Sequence, residues 1–433
     1  MRRYPFAMSG RRTFYVETLG CPKNQVDSDK LVGTFLADGL ARAESAEEAD
    51  LVVVNTCAFI EEARQESIDV VLALAERKHS DAELVVTGCM AERYGEELAT
   101  ALPEADVVAG FGVPVSLGRK PGAAPLPSFD LLNLPRPASA VPWAYVKVAE
   151  GCDKACGFCA IPSFRGPQRS RTSDQILTEV DELVAGGARE IVLVAQDLAS
   201  YGRDQGKGTK DLVPLIESVA ARVERVRLLY LYPSDLTGRL IDAIVATGVP
   251  YFDLSLQHVS APLVRRMRRW GDGAKFLQRI EAIRAIAPEA AFRSNFIVGY
   301  PGETEDDHDQ LLAFVEEAQL DWCGFFAYSR EVGTYAADLD GTVPRPLMDD
   351  RLAELRERQD TITATRRDEL IGCVVEVLVD APGVARSHRE APEIDGIITV
   401  PSALAVGAIL PIRITGAEGP DLYGEAVALV AQR

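Results

Sequence analysis

Segments with strand character and segments with helix character alternate along most of this chain, and that alternation limits the folds open to it. In the first section, residues 11–118, strands are predicted at Thr13–Thr18, Asp50–Asn55 and Glu83–Thr87. A helix is predicted after each strand, at Asp27–Asp38, Ile60–Arg77 and Ala91–Ala101. Strands that alternate with helices favour a parallel sheet, so we predict an N-terminal parallel α/β domain.

The second section, residues 143–365, continues the alternation. It contains six strand candidates with a helical pattern between successive ones: Ala144–Ala149, Glu190–Ala195, Val226–Leu231, Tyr251–Leu256, Ala291–Val298 and Trp322–Tyr328. A closed barrel of this kind needs eight strand–helix units. We therefore predict an open (β/α)6 partial barrel with its active site at the C-terminal ends of the strands.

Two further segments complete the layout. Residues 119–142 are rich in proline and are predicted to be a linker. Residues 366–433 carry four short β-like runs separated by Gly and Pro: Val374–Val379, Ile394–Val400, Ile409–Ile414 and Glu425–Val430. Such runs predict a small all-β barrel of the oligonucleotide-binding type.

Composition and the first residues indicate in which compartment the protein is expected to act. No apolar run approaches the length of a membrane span, and the basic start of the chain has no apolar stretch behind it, so no secretory signal is predicted. Translation could begin at Met1 or at Met8. Eight cysteines in a chain expected to be cytoplasmic favour metal binding or catalysis over disulfides.

Cys152, Cys156 and Cys159 form a C-x3-C-x2-C triplet. Three thiolates in one loop can bind three irons of a [4Fe-4S] cluster, whereas a fully tied cluster takes four cysteines. The fourth iron would then be open to another ligand. A structural zinc site is normally closed by a fourth Cys or His, and neither occurs in the thirteen residues after Cys159. A zinc knuckle, or three unrelated cysteines, remains the alternative.

A second set of cysteines follows the strands of the first section. Cys21, Cys57 and Cys89 each come just after a predicted strand, and in a parallel sheet such positions share one edge. Helix N-termini at that edge favour thiolates and an anionic cluster. We therefore predict a second three-cysteine site. The alternative is that each is a small buried residue at a strand–helix junction. Cys323 is predicted to lie in a strand core and Cys373 to pack in the barrel.

The first triplet, with Phe158 inside it, resembles the signature of radical S-adenosylmethionine (SAM) enzymes. The two triplets, their order and the three-part layout resemble the radical-SAM methylthiotransferases over nearly the whole chain. Three runs are closest to the RimO branch of that family: Leu19–Ser28 (LGCPKNQVDS), Leu256–Ser260 (LQHVS) and Arg386–Gly396 (RSHREAPEIDG).

This resemblance implies a function. It implies a methylthiotransferase domain with an auxiliary [4Fe-4S] cluster on Cys21, Cys57 and Cys89, a radical-SAM core and a C-terminal TRAM domain. One SAM would give a radical that abstracts hydrogen from the β-carbon of an aspartate of small-subunit ribosomal protein twelve. The auxiliary cluster would carry the sulfur and a second SAM the methyl group. An external electron donor is implied as well.

Residues at the strand ends are candidates for contact with SAM. They are Phe158, Gln196, Asp197, Ser294 and Gly299. Glu303 is expected to lie at a helix start that Thr304 caps rather than to bind SAM. His258, after the fourth strand, is a weak catalytic candidate and equally a structural histidine. Arg165, Arg169 and Arg171 follow the cluster loop and could neutralise the cluster, bind a carboxylate substrate or lie on the surface.

Charge bears on the substrate. The whole chain has a formal net charge of −19, and Gly372–Arg433 holds four basic and eight acidic residues, a net charge of −4. A barrel that grips RNA needs a basic groove, so a basic protein partner is favoured over a tRNA adenosine, and no direct nucleic-acid specificity is expected. A solvated acidic face with no docking role is the alternative. A third class, an iron–sulfur or zinc binding protein without turnover, has no use for open iron positions.

Overall fold

The computed structural model describes residues 12–117, 130–206 and 212–427. Met1, Met8, the residues after 427 and residues 119–129 of the predicted proline-rich linker lie outside these ranges. Two compact units are present. The first comprises Met1–Pro137 and Ala160–Gly166, and the second comprises Ala138–Cys159 and Pro167–Arg433. Among the described residues, no helix combines the length and the apolar character that crossing a membrane requires.

The first unit is built on a five-stranded parallel sheet. Its strands are β1 (Thr13–Thr18), β2 (Ala41–Arg42), β3 (Leu51–Thr56), β4 (Glu83–Gly88) and β5 (Val107–Ala109). Its helices are α1 (Pro22–Ala37), α2 (Glu61–Arg77), α3 (Cys89–Ala101) and α4 (Ile161–Arg165). The strand order is β2-β1-β3-β4-β5 with every pair parallel. The order therefore reverses direction between β1 and β3, which makes this a topological switch point.

Both faces of this sheet are buried. Val52 and Val54 of β3 pack with residues of α2 and α3 on one side, while Val53 packs with Phe14 and Phe35 on the other. Successive side chains of a strand point to opposite faces, so a continuous apolar run such as Leu51–Val54 is what a doubly covered parallel strand requires.

The core of the second unit has six parallel strands in chain order. Its elements are β6 (Trp143–Lys147), β7 (Ala149–Glu150), β8 (Arg169–Ser170), α5 (Ser173–Ala185), β9 (Glu190–Val194), α6 (Leu212–Ala220), β10 (Arg225–Leu228), α7 (Gly238–Ala246), β11 (Tyr251–Gln257), α8 (Ala261–Arg266), α9 (Gly273–Ile286), β12 (Ala291–Val298), α10 (Glu305–Ala318), β13 (Trp322–Ala327) and α11 (Arg345–Asp368). β6, β9 and β10 form one parallel sheet and β11, β12 and β13 another. A parallel bridge from Leu231 to Leu254 connects the two.

A closed five-stranded barrel follows in the same unit. Its strands are β14 (Val374–Ala381), β15 (Val384–Arg386), β16 (Ile398–Thr399), β17 (Ile409–Glu418) and β18 (Asp421–Ala426). Its interior is apolar and includes Val377, Ile398, Ile412 and Leu422. Closure pairs the strands all the way round and leaves no free sheet edge.

Residues 386–395 fix this barrel to the N-terminal ends of the core strands. The Arg386 guanidinium pairs with Glu190, the first residue of β9, at 3.1 Å. Arg227 of β10 donates to the carbonyl of His388 at 2.8 Å, and Tyr251, which begins β11, donates to Asp395 at 2.6 Å. The barrel is thus held at the opposite end of these strands from the predicted site.

The predicted fold class is confirmed in each part, including six core strands and a C-terminal barrel. The short strands β2, β5, β8 and β15 were not predicted because two or three residues carry little periodicity. The strand predicted at Glu425–Val430 begins earlier, at Asp421, and residues 428–430 lie outside the described part. The prediction that Cys373 packs in the barrel is wrong, since Cys373 is exposed one residue before β14.

Candidate functional site

Cys21, Cys57 and Cys89 lie at the C-terminal edge of the first sheet. Cys21 is the N-cap of α1, Cys57 directly follows β3 and Cys89 is the first residue of α3. β1 and β3 flank the point where the strand order reverses, which is where open parallel sheets bind ligands. The three thiols lie close enough for each pair to interact electrostatically. Cys21 and Cys89 both raise the pKa of Cys57, and Cys21 also raises the pKa of Cys89.

Two glycines allow the strand ends to approach so closely. Gly20 has φ +95° and Gly88 has φ +91°, a backbone conformation that residues with a side chain rarely adopt. A Cβ on Gly20 would lie 2.9 Å from the Cβ of Cys57, and one on Gly88 would lie 2.2 Å from Asn55 Oδ1. The glycine before Cys21 and the glycine before Cys89 are therefore required for the cysteines to converge.

Asn24 and Arg165 organise the space between the three cysteines. The Asn24 amide, which is fully buried, donates to the carbonyls of Leu19 at 2.9 Å and Thr56 at 3.1 Å, so it joins the ends of β1 and β3. Arg165 Nη2 donates to Asn24 Oδ1 at 2.7 Å and to Cys89 Sγ at 3.0 Å. Its Nη1 pairs with Asp27 Oδ2 at 3.1 Å.

The surroundings move the three thiol pKa values in different directions. Burial raises the pKa of Cys57 to about 12 and also raises that of Cys89, where the Arg165 charge opposes the rise. At Cys21 burial acts in the same way, but the charges of Lys23 and Arg165 and two backbone N–H groups outweigh it, so the pKa is lowered. Positive charge at this edge therefore favours the thiolate at Cys21, whereas burial disfavours it at Cys57 and Cys89.

The second triplet lies in one loop of the second unit. It follows β6 and β7, and the Cys159 N–H donates to the Cys156 carbonyl at 3.2 Å. Gly157 anchors the loop, because its N–H donates to the Met267 carbonyl at 2.8 Å and its carbonyl accepts from the Ala336 N–H at 2.7 Å. A Cβ on Gly157 would meet the Tyr300 hydroxyl at 2.7 Å.

Cationic groups surround this loop as well. Arg269 Nη1 donates to Cys156 Sγ at 3.0 Å, and its guanidinium lies 4.3 Å from the ring centre of Tyr232. Lys154 Nζ lies 4.1 Å from the same ring centre and pairs with Asp235 at 2.7 Å. Burial raises the pKa of Cys152 to about 11, against the Lys154 N–H that donates to its sulfur at 3.4 Å.

Gln196 and Asp197 follow the end of β9 beside the cysteine loop. Gln196 Nε2 donates to Glu150 at 2.7 Å, and Asp197 lies 3.6 Å from Lys154 Nζ and accepts from Ser200 at 2.5 Å. Gln196 Oε1 and Asp197 Oδ1 are buried without a hydrogen-bond partner among the described residues. Buried polar atoms are normally paired, so these two fit a polar cofactor that approaches the strand ends.

The other predicted cofactor contacts have different surroundings. Ser294 is fully buried in β12 and donates to the Leu254 carbonyl at 2.7 Å. Gly299 has φ +82°, and a Cβ there would lie 2.4 Å from Met348. Phe158 is partly buried and packs against the apolar group around Met267 and Tyr300.

Glu303, Thr304 and His258 have structural partners. Thr304 caps α10, as predicted, and the Glu303 carboxylate accepts from the Tyr300 N–H at 3.2 Å and pairs with Arg351 at 2.8 Å. His258 is fully buried, and its Nδ1 accepts from the Ser260 N–H at 3.2 Å. Burial lowers the pKa of His258 to about 4, so the ring is neutral at pH 7.

The three arginines after the cysteine loop have separate roles. Arg165 lies in the first unit at Cys89, and Arg171 pairs with the buried Glu179 at 2.7 Å. Arg169 is an exposed residue of β8. Sequence reasoning did not predict Arg165 at Cys89 or Arg269 at Cys156, because both contacts join residues more than seventy positions apart. The only signal in the sequence was the group of arginines directly after the cysteine loop, which includes Arg165 but not Arg269.

The donor chemistry of both sets fits iron–sulfur clusters. Cysteine thiolates hold such clusters, and each thiolate binds a different iron, so the sulfurs need not meet at one point. Within the described ranges, no group of three or more His, Cys, Asp or Glu side chains is arranged to hold a single metal ion.

Comparison with known proteins agrees with these parts. A family model described as an uncharacterized protein family, UPF0004, matches residues 13–110, the radical SAM superfamily matches 146–315, and the TRAM domain matches 371–427. A solved radical SAM methyltransferase, TsrM from Kitasatospora setae, has a TM-score of 0.50 at 14% identity, covering 90% of this chain and 80% of that one. At this identity the likeness shows the fold alone.

Full-length relatives are more similar. A ribosomal protein uS12 methylthiotransferase RimO from Streptomyces coelicolor is 39% identical over 96% of this chain and 97% of its own. One from Moorella thermoacetica is 41% identical over 92% and 96%. The fold, the cysteine loop and the superfamily match define a radical SAM enzyme with a C-terminal TRAM domain. More narrowly, the chain belongs to the RimO family of ribosomal protein uS12 methylthiotransferases.

Proposed function

We propose that this protein adds a methylthio group to the β-carbon of an aspartate in ribosomal protein uS12. The observation that carries the proposal is the presence of two cysteine triplets, each at the C-terminal ends of parallel strands, in a chain similar to RimO proteins over nearly its full length. Two separate triplets match a reaction in which one site activates a carbon and the other provides sulfur.

Each triplet is proposed to hold one [4Fe-4S] cluster, with Cys152, Cys156 and Cys159 at the radical-SAM site and Cys21, Cys57 and Cys89 at the auxiliary site. When bound, the reduced first cluster and SAM supply the radical that activates the aspartate β-carbon, and the auxiliary cluster and a second SAM supply the sulfur and the methyl group. An external electron donor is part of the proposal.

The residues around the radical-SAM loop bind and orient. Arg269 donates to the Cys156 sulfur and is itself held by the face of Tyr232. Lys154 places positive charge between Asp197 and Asp235. Gln196 Oε1 and Asp197 Oδ1, which have no partner in the described part of the chain, are proposed to accept hydrogen bonds from SAM. Phe158, Ser294 and Gly299 are proposed to line the same site. His258 is assigned a structural role, since it is buried and neutral.

The proposed domain limits are 11–118 for the methylthiotransferase domain, 119–142 for the linker, 143–365 for the radical-SAM core and 366–433 for the TRAM domain. The TRAM surface supports a basic protein substrate. Asp380, Glu390 and Asp395 pair with arginines. Among the described residues of the TRAM domain, the exposed charged ones are acidic apart from one arginine: Asp368, Glu369, Glu376, Glu393, Glu418, Glu425 and Arg413. This balance argues against a tRNA adenosine as substrate. We propose that the protein acts in the cytoplasm, where uS12, free or as part of the ribosome, is its substrate.

The test is mass spectrometry of purified uS12 after anaerobic incubation with reconstituted enzyme, SAM, sulfide and reductant. A mass gain of one methylthio group on one aspartate is expected. It should be absent with Cys21→Ala and with Cys152→Ala but retained with Cys373→Ala, which removes an exposed cysteine outside both triplets. Formation of 5′-deoxyadenosine with unmodified uS12 would contradict the substrate, and its absence at full iron content would contradict the radical SAM activity.

A further inference from the structure

Arg165 is a charged group in direct contact with the auxiliary triplet. Its Nη2 is 3.0 Å from Cys89 Sγ, and its side chain is 2% exposed. The guanidinium also stacks on Phe111, 4.3 Å from the ring centre. A cation fixed against a cluster ligand in a buried place acts through a low local dielectric, so its effect on charge at the sulfur is large.

The network around Arg165 holds it in one position. Nη2 is shared between Cys89 Sγ and Asn24 Oδ1, and Nη1 pairs with Asp27, whose side chain is also 2% exposed. Asn24 and Asp27 are one helical turn apart at the start of α1, directly after Cys21. The run Cys21–Asp27 thus supplies a cluster ligand together with the amide and the carboxylate that orient Arg165.

We propose that Arg165 is a positioning residue that raises the reduction potential of the auxiliary cluster by donating to the Cys89 thiolate. This inference rests on the proposed function, since it takes Cys21, Cys57 and Cys89 as cluster ligands. The potential of an iron–sulfur cluster depends on its net charge and on hydrogen bonds to its sulfurs. Reduction adds one negative charge, and the guanidinium stabilises that charge. Asp27 opposes this effect, because its carboxylate neutralises part of the Arg165 charge.

The arrangement predicts shifts of opposite sign for the two partners. Arg165→Gln removes the cation and should make the auxiliary cluster harder to reduce. Asp27→Asn leaves the cation unopposed and should make it easier to reduce. The double variant Asp27→Asn/Arg165→Gln removes a neutral pair and should lie between the two. A role in folding alone predicts no such ordering, because each variant breaks the same buried pair.

The experiment uses the full chain with Cys152, Cys156 and Cys159 changed to Ala, so that only the auxiliary cluster remains. After anaerobic reconstitution, iron content is measured, and the cluster is titrated with dithionite while its electron paramagnetic resonance signal is followed. Arg165→Lys, which keeps the charge, should retain most of the reduction potential that Arg165→Gln loses. Arg136→Gln is the control, since Arg136 forms a partly buried ion pair with Asp29 of the same helix, and it should leave the potential unchanged.

The possible results distinguish the role of Arg165 in setting the potential from the binding of a cluster by the auxiliary triplet. Shifts of opposite sign for Arg165→Gln and Asp27→Asn support the role, and shifts of the same sign would overturn it. If Arg165→Gln loses iron that Arg165→Lys retains, a potential raised in Asp27→Asn supports the role instead. Full iron content with unchanged potentials would overturn the role and leave the auxiliary site standing. Equal iron loss in the Gln and Lys variants would also overturn it, because shape rather than charge would then be required. A parent variant without iron would overturn both proposals.

Discussion

The two cysteine triplets, each proposed to hold one iron–sulfur cluster, are built in opposite ways. Cys152, Cys156 and Cys159 belong to one loop after β6 and β7, whereas Cys21, Cys57 and Cys89 come from the ends of three strands and meet only when the sheet forms. Each set has an arginine 3.0 Å from one sulfur. Arg165 is held by a carboxylate and an amide, while Arg269 is held by an aromatic face and the Ser255 carbonyl.

This difference shows where each site is vulnerable. In the loop, the three thiols are close together in the covalent chain, so their spacing depends little on how the rest of the unit packs. At the sheet edge, the spacing depends on the packing between β1, β3 and β4, and therefore on residues that are not ligands. Substitutions beside the auxiliary triplet should cost iron, while equivalent substitutions beside the loop should not.

The largest effect is expected for Gly88→Ala. The substitution forces alanine into φ +91° and places its Cβ 2.2 Å from Asn55 Oδ1 and 2.6 Å from the Thr56 carbonyl oxygen. The strain and the overpacking together should cost about 3–4 kcal/mol of unfolding free energy, with loss of about half of the bound iron. Urea unfolding and iron analysis measure the two effects.

Gly39→Ala is the control for Gly88→Ala. Gly39 has φ +87°, but a Cβ there has no neighbour within 4 Å. It should cost only the backbone strain, about 1–2 kcal/mol, and should keep all the iron. Equal iron loss in both variants would show that stability of the sheet, rather than close approach of the cysteines, controls the auxiliary site.

A smaller effect is expected for Asn24→Ala. The change removes the amide that joins the ends of β1 and β3 and leaves two buried carbonyls without their donor, at a cost of about 2–3 kcal/mol. Auxiliary iron should fall while SAM cleavage continues. The loop counterpart is Asp153→Ala, which removes the acceptor of the Gln168 N–H, and it should keep both iron sites. SAM cleavage that falls with Asn24→Ala would contradict the independence of the two sites.

The smallest effect is the loss of stability that we expect when the pH is lowered. His258 lies in the second unit, where burial lowers its folded pKa from 6.5 to about 4. The unfolded chain therefore takes up a proton more readily, and stability falls as the pH drops from 6.5 toward 4. At pH 5 the loss should be about 2 kcal/mol. His258→Asn should remove this loss between pH 7 and pH 5 in urea unfolding of the second unit. An unchanged pH dependence would mean that the folded ring takes up a proton as readily as the unfolded chain does.

Sequence reasoning predicted the architecture better than the surroundings of the site. Strands such as Thr13–Thr18 and Ala291–Val298 were predicted with their observed bounds, because long runs with clear periodicity fix an element locally. The Arg386–Gly396 run was useful for the resemblance, but its residues are largely committed to holding the barrel on the core. Its charges could not be assigned to a surface or an interface from the sequence.

The amino-acid sequence by itself determined the six-cysteine pattern, the strand–helix alternation and the family resemblance. These depend on spacing along the chain, which the covalent structure preserves. Only the tertiary structure decided that Arg165 reaches Cys89 while Arg269 reaches Cys156. It also decided that Gly20 and Gly88 let the thiols of the sheet edge approach one another. Such contacts depend on strand order and on the direction of individual side chains, and neither is encoded within a single short stretch of sequence.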